Sequence, residues 1–154
     1  MRTSKRLRTW LSAALGAVTF TVLGSGQAWA DIPFGQPIDG TATYYNDAGY
    51  GACGTQIDAS SQPLVAVSSA WWTASNPNND PLCQGVSVQV SYNGTTITVP
   101  VTDRCVSCDA NHIDLSQPAF QQLASTDAGV INVTWQFVQT GQDVGPSRAP
   151  LHQR

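Results

Sequence analysis

Residues 102–116, TDRCVSCDANHIDLS, gather two cysteines, three aspartates, an arginine and a histidine within fifteen positions. Cysteine close to histidine is a pairing used by thiolate nucleophiles and by zinc sites. Two carboxylates on adjacent strands could instead serve glycoside cleavage. A disulfide between Cys105 and Cys108 would make the same segment a stapled turn. The compartment in which the chain folds decides among these chemistries.

The amino terminus has the features of a secretory signal peptide. A basic start, MRTSKRLR, precedes an apolar run from Trp10 to about Leu23, and an A-x-A motif ends at Ala30. The run is too short to span a bilayer as a helix, and no second run follows, which argues against the alternative of a membrane anchor. We therefore predict a signal peptide at 1–30, an extracellular location and no membrane association after cleavage.

Removal of residues 1–30 would leave 124 residues with three arginines against ten aspartates, a net charge of −7, and neither lysine nor glutamate. This length suits a single small domain with one core. Such an acidic surface repels phosphate backbones and therefore argues against nucleic-acid binding. It would favour encounter with a basic partner, although acidic residues also serve solubility.

Four cysteines in a secreted chain of this length predict two disulfides, for which three pairings are possible. We favour Cys53–Cys83 with Cys105–Cys108, because the close pair can bridge a tight turn while the distant pair closes a long loop. The alternative is a four-cysteine zinc site, against which secretion and the lack of a second C-x-x-C motif argue. An oxidised pair cannot act as a nucleophile, and we expect neither a metal nor another cofactor.

The elements that position this segment are predicted to be β-strands. Few charges, many β-branched residues, and 13 glycines with 9 prolines indicate an all-β domain rich in turns. Residues 86–101, VSVQVSYNGTTITVPV, alternate apolar and polar residues on both sides of Asn93-Gly94, which predicts a β-hairpin. Further strands are predicted at 41–45, 64–67, 111–115 and 130–138.

One short helix and a tail complete the predicted domain. Ser116 is placed to cap a helix that has Pro118 in its first turn and Phe120 on its inner face. Residues 141–154 show no apolar periodicity, and a flexible C-terminal tail is expected there. These limits place the folded domain at 31–140.

Asp103 and Asp114 are the candidate catalytic residues if the chain cleaves glycans. That reaction needs a protonated acid and often a second carboxylate, and these two residues could supply both if their strands are adjacent. In the structural alternative, Asp103 satisfies turn amides and Asp114 tethers a strand end. The residues alone favour this alternative.

Three motifs follow one another along the chain. They are GTATYYNDAGYGACG at 40–54, VPVTDRCVSC at 99–108 and HIDLSQPAFQQLA at 112–124. In order and spacing they resemble the double-psi β-barrel of expansins, barwin-like proteins and bacterial RlpA-like domains, over nearly all of residues 38–140. The resemblance implies a six-stranded barrel with interlocked psi loops, one or two short helices and a groove across one face.

The same resemblance implies a polar cluster in that groove, at Thr43, Asp103 and Asp114 of this chain. Where expansins carry a groove tyrosine two positions after the first aspartate, this sequence has Cys105. We also expect no second, carbohydrate-binding domain. Both departures argue against the loosening of cell walls.

A longer stretch, residues 44–94, includes Ala70-Trp71-Trp72 and NPNNDP and is similar to a family of one-domain bacterial barrels that inhibit papain-like cysteine proteases. This resemblance implies a monomeric, reversible inhibitor of such proteases and not an enzyme. The alternatives are a module that binds or cleaves cell-wall polysaccharide and a secreted elicitor or structural protein with neither activity. In the inhibitor hypothesis, residues 102–116 are chiefly a stapled psi loop.

Exposed aromatic rings at turn tips would anchor an inhibitor in a narrow, apolar protease cleft. Rigid turns suit this role because they lose little entropy on binding. Burial in the core is the alternative for each ring, and at least one of the adjacent tryptophans is expected to point inward. The candidates for contact with a protease or a glycan are Thr43, Tyr44, Tyr45, Tyr50, Trp71 and Trp72.

Overall fold

The computed structural model of the chain describes residues 32–140, so that the predicted signal peptide and C-terminal tail lie outside the described part. Short 3₁₀ turns separate several of the elements. In chain order the strands and the helix are β1 (Ile38–Tyr45), β2 (Ala48–Tyr50), β3 (Gln56–Asp58), β4 (Val65–Ser68), β5 (Val86–Tyr92), β6 (Thr95–Cys105), β7 (His112–Ser116), α1 (Gln117–Gln121) and β8 (Ile131–Gln139).

Six strands close into a barrel in the order β1-β7-β4-β6-β5-β8, and β2 pairs with β3 in a separate small sheet. The pairs β1–β7 and β4–β6 are parallel, and the other neighbouring strands of the barrel are antiparallel. Closure leaves no unpaired sheet edge in the barrel. The predicted all-β, six-stranded barrel with a short helix is confirmed.

The core fills the inside of the barrel. On β6 the side chains of Ile97, Val99 and Val101 are buried, while the residues between them are exposed. On β8 the rings of Trp135 and Phe137 meet edge to face with 5.1 Å between their centroids, a favoured aromatic geometry. The alternation read in the sequence therefore separates the core from the surface.

β2 and β3 were not predicted. Each has three residues, which is too short for an alternating pattern to be recognised. The two strands pair from Ala48 opposite Asp58 to Tyr50 opposite Gln56. This small hairpin lies outside the barrel and becomes one wall of the groove described below.

The predicted side-chain cap of α1 is wrong. Ser116 occupies the N-cap position without capping the helix. Its hydroxyl accepts a hydrogen bond from the buried backbone N–H of Leu64 at 3.0 Å, and its own N–H donates to the Leu64 carbonyl at 2.9 Å. A buried amide without a partner costs more than a helix end near solvent, so the hydroxyl serves the amide. Phe120 is fully buried, as expected.

Two disulfides link the cysteines in the pairing that the sequence favoured. Cys53 and Cys83 are 30 positions apart, with 5.5 Å between their Cα atoms. Cys105 and Cys108 are 3 positions apart, with 5.4 Å between their Cα atoms. Within residues 32–140 no cysteine is free, and no three or more His, Cys, Asp or Glu side chains are grouped so that they could hold a metal ion. No helix in the same range is long and apolar enough to cross a membrane.

Candidate functional site

A row of four residues crosses the strands β1, β7, β4 and β6. Thr43 pairs with Asp114, Asp114 with Ala66, and Ala66 with Asp103. Residues directly opposite one another share a face of a sheet. Neighbouring strands lie about 4.8 Å apart, so the backbones of the two aspartates are about 10 Å apart, with only a small methyl group between them. The two candidate carboxylates therefore share one face.

The direction of Asp103 depends on a bulge in β6. Val65 pairs with Val101, whereas the next residue of β4, Ala66, pairs with Asp103, so that Thr102 is the extra residue. Strict alternation with the buried Val101 would turn Asp103 toward the core, and a bulge re-aims the side chain. The hydroxyl of Thr102 is buried and has no hydrogen-bond partner in the described part of the chain.

A groove of about 280 Å³ lies between this face of the barrel and the β2–β3 hairpin. It is acidic, because three carboxylates face one arginine. Its border includes the two most exposed large apolar side chains of residues 32–140, Tyr50 and Val106. The charged residues of the lining are Asp47, Asp103, Arg104 and Asp114.

Asp103 holds the turn that follows β2. Its Oδ1 accepts hydrogen bonds from the N–H of Ala52 at 3.0 Å and from the N–H of Arg104 at 2.9 Å. Its Oδ2 accepts from the hydroxyl of Tyr45 at 3.1 Å. Burial and the neighbouring Asp103 raise the pKa of Tyr45 above its usual value, so the hydroxyl keeps its proton and donates. Both carboxylate oxygens thus serve the structure, as in the structural alternative for Asp103.

Asp114 is half-buried in the floor of the groove. The hydroxyl of Thr43 donates to its Oδ1 at 2.8 Å, and the same hydroxyl lies 2.8 Å from Nε2 of His112. A hydroxyl has one proton, so its oxygen accepts from a protonated Nε2 in this network. Burial raises the pKa of Asp114 above its usual range, and the bond from Thr43 opposes this only in part. A raised pKa suits a carboxyl that donates a proton.

Trp71 and Trp72 lie half-buried against the core of the barrel. The indole N–H of Trp71 donates to the carbonyl of Ala110 at 2.8 Å. Its ring meets that of Phe137 edge to face, with 5.3 Å between centroids. The indole N–H of Trp72 donates to the carbonyl of Val67 at 3.3 Å. Both rings thus have internal partners, and neither lines the groove.

The three tyrosine candidates differ in whether the ring packs inside the protein or lies at the groove. Tyr44 packs on Phe120 with 5.0 Å between the ring centroids. Tyr45 lines the groove and is tied to Asp103. Tyr50 is 80% exposed at the groove border. The structure therefore brings Tyr45 and Tyr50 together with the carboxylates and leaves Tyr44 and the two tryptophans elsewhere.

Val106 belongs to the groove, and the sequence arguments did not select it. It lies in the four-residue ring closed by Cys105 and Cys108, and it is 77% exposed. The sequence showed the closely spaced cysteines on either side of Val106, but not the exposure of its side chain, and it carried no signal for Asp47 or Arg104.

Comparison with known proteins gives agreeing results. A family model described as lytic transglycolase, of the double-psi β-barrel type, matches residues 38–135. The papain inhibitor of Streptomyces mobaraensis is 61% identical over 139 residues, which cover 90% of this chain and 97% of that protein. The solved structure of Streptomyces papain inhibitor covers 71% of this chain and 100% of its own, with 67% identity and a TM-score of 0.70.

A more distant match is a protein whose structure was solved with a bound oligosaccharide. The structure of a mutant Clavibacter michiganensis expansin in complex with cellohexaose is 28% identical, covers 68% of this chain and 51% of its own, and has a TM-score of 0.55. The closed barrel fits the family model, and the identity to the papain inhibitor extends along almost the whole of that protein. The chain belongs to the double-psi β-barrel family and, within it, to the family of the Streptomyces papain inhibitor.

Proposed function

We propose that this protein is an extracellular, monomeric and reversible inhibitor of papain-like cysteine proteases. The observation that carries the proposal is the 61% identity to the papain inhibitor over 97% of that protein's length. A shared barrel alone would leave the function open, because one fold hosts many functions. The matched region spans almost all of that protein and therefore also its loops, where binding surfaces usually lie.

The loops of this scaffold are held rigidly, which favours cleft blocking. Beyond the two disulfides, the buried carboxylate of Asp80 accepts hydrogen bonds from the N–H groups of Thr73 and Ala74, both at 2.8 Å, and of Leu82 at 3.0 Å. These bonds fix the segment between β4 and β5. Preorganised loops lose little entropy on binding, so more of the contact energy appears as affinity.

The groove supports inhibition better than turnover. Both oxygens of Asp103 are engaged by donors of the protein itself, so this residue is a poor second carboxylate for glycoside cleavage. Burial raises the pKa of Asp114, as suits a proton donor. A binding role needs neither group to be free.

The proposal is tested by titrating papain activity with oxidised protein that spans residues 31–154. We expect inhibition at one molecule per active site, full recovery of activity on dilution, and a monomer by light scattering at the same concentrations. A serine protease assayed in parallel serves as a control for general effects. Absence of inhibition at micromolar protein, or steady cleavage of the protein by papain, would contradict the proposal.

A second candidate function is the binding of a cell-wall polysaccharide. It is favoured by one observation, the exposed ring of Tyr50 in the same groove as the half-buried Asp114. The expansin neighbour was solved with cellohexaose. Titration of the protein with cellohexaose, followed by tryptophan and tyrosine fluorescence or calorimetry, tests this candidate, and Asp114→Asn would abolish any associated cleavage.

A further inference from the structure

We infer that the protease contacts this protein through Tyr50 and Val106, the two exposed apolar side chains that border the acidic groove. This inference rests on the proposed function, because it takes a papain-like protease as the partner. It names the residues that would enter the protease cleft. The rest of the groove would then provide a frame around two anchors.

Both side chains are largely exposed to solvent. Three large apolar side chains are exposed among residues 32–140: Tyr50 at 80%, Val106 at 77% and Val130 at 57%. Two of them border one groove, while Val130 does not line it. Binding energy concentrates in a few large side chains that become fully desolvated in the complex, and tyrosine is enriched among them. Two exposed apolar side chains beside one groove are therefore suited to become desolvated anchors in a complex.

The backbone that carries Tyr50 is fixed on the barrel. The N–H of Cys53 donates to the carbonyl of Thr102 at 3.3 Å, and the N–H of Ala52 donates to Asp103. A Cβ atom on Gly51 would come within 2.4 Å of that Thr102 carbonyl, so only glycine lets the turn approach so closely. Together with the disulfide of Cys53, these contacts leave Tyr50 little backbone freedom to lose on binding.

Val106 is held in a similar way. It lies in the short loop that the disulfide between Cys105 and Cys108 closes. Cys105 is buried and lies opposite Ser68 of β4, and the hydroxyl of Ser68 donates to the carbonyl of Cys108 at 2.9 Å. This disulfide-closed loop is thus attached to the barrel through both of its cysteines. Its exposed valine is presented on a fixed backbone.

The chemistry of the pair fits a cysteine protease of the papain type. Its cleft accepts extended substrates in subsites that include apolar ones, and an aromatic and a branched aliphatic side chain can fill such subsites. The contact itself would rest on apolar packing and needs no proton transfer. The groove carboxylates would remain at the rim, where charges mainly affect the association rate.

The test uses three single variants of the oxidised protein in a papain assay. Tyr50→Ala should raise the inhibition constant about 30-fold, the effect of losing a typical anchor. Val106→Ser should raise it about 10-fold, because the lost apolar contact is smaller. Val130→Ser is the matched control and should change it less than twofold. Thermal unfolding of each variant shows that the fold is kept, since all three side chains are exposed.

The outcomes separate the inference from the proposed function. If the unaltered protein does not inhibit papain, the proposed function fails. If it inhibits papain and both groove variants stay within threefold of it, only the inference is overturned and the inhibitory surface lies elsewhere. An equal loss in Val130→Ser, or conversion of a dimer to a monomer by Tyr50→Ala, would also overturn it. Loss of cellohexaose binding without loss of inhibition would assign the pair to a glycan.

Discussion

The β2–β3 hairpin and the turn at Trp71–Trp72 both carry aromatic residues at a turn outside the regular barrel, yet they use them differently. Tyr50 stands in solvent at the groove border. Trp71 packs edge to face on Phe137 and Trp135. The indole N–H of Trp71 finds an internal carbonyl, that of Ala110, and a ring whose polar group is satisfied inside can be drawn against the core.

An aromatic residue in a turn is therefore not an anchor by virtue of its type alone. The two regions are also connected, because the disulfide of Cys53 joins the turn after β2 to Cys83, at the end of the segment that follows Trp72. One region would thus supply contact and the other stability, with a covalent bond between them.

The largest effect is expected from breaking the bond between the two regions. Replacing Cys53 and Cys83 together by serine should lower the free energy of unfolding by about 3.6 kcal/mol, and replacing Cys105 and Cys108 by about 2 kcal/mol, because the longer closed loop restricts the unfolded chain more. Urea denaturation of both double variants measures the difference. The reverse order would mean that the folded state, and not loop closure, sets the contribution of each bond.

Trp71→Ala should destabilise the protein by about 3 kcal/mol, since it removes a large ring that packs on the core. Tyr50→Ala should change stability by less than about 0.5 kcal/mol, as exposed substitutions usually do. Denaturant titration gives both values, and papain assays at low temperature give the inhibition constant of the folded fraction. A stable Trp71→Ala variant with weak inhibition would reverse the roles of the two regions.

Asp103→Ala should have a smaller effect on stability, about 2 kcal/mol, because it leaves the N–H of Ala52 and the hydroxyl of Tyr45 without their partner. Hydrogen exchange at Ala52 and Cys53 should become faster, and papain inhibition weaker, because the hairpin that carries Tyr50 is loosened. The exposed Asp127 provides a control of equal charge, and Asp127→Ala should leave all three measurements nearly unchanged. Unaltered exchange in Asp103→Ala would remove Asp103 from the support of the hairpin.

The smallest effect is expected at Asp114. Burial raises the pKa of this carboxyl in the folded state, so its contribution to stability is present below the unfolded pKa of about 3.9 and is lost as pH rises through the folded value. Asp114→Asn keeps the size and an acceptor for Thr43 but cannot ionise. Relative to the unaltered protein it should therefore gain stability between about pH 3 and pH 7. Melting temperatures across this range measure the difference in stability between the variant and the unaltered protein.

A difference that does not change with pH would show that Asp114 titrates normally. Papain inhibition by Asp114→Asn should stay nearly unchanged, with at most a slower association at low salt from the lost charge. A strong loss of inhibition in this variant would place the protease on the floor of the groove and not on its border. The same variant thus also sharpens the contrast between the two regions.

Much of the fold could be predicted because its signals are local. Alternation of apolar residues along β6 and β8 and the turn at Asn93-Gly94 each depend on a short stretch of chain, and the cysteines are counted directly. The hairpin and the four further strands lie where the patterns placed them, within a few residues. Periodicity and turn chemistry constrain such elements before any tertiary contact forms.

The site could be predicted only in part. The motif resemblance selected Thr43, Asp103 and Asp114, and the structure brings them onto one face. The sequence could not show that Asp103 is used to hold a turn, nor that Val106 and Tyr50 line the same groove. Both facts depend on the approach of chain segments that are about fifty positions apart.

By itself, the sequence determined an all-β chain with the cysteines for two disulfides and an acidic surface that repels phosphate backbones. Only the tertiary structure decided which rings are drawn inward, which way Asp103 points after the bulge at Thr102, and which two apolar residues meet at one groove. The physical reason is that burial and direction are set by closure of the barrel. Closure joins strands distant in sequence, and one extra residue reverses the face on which a side chain lies.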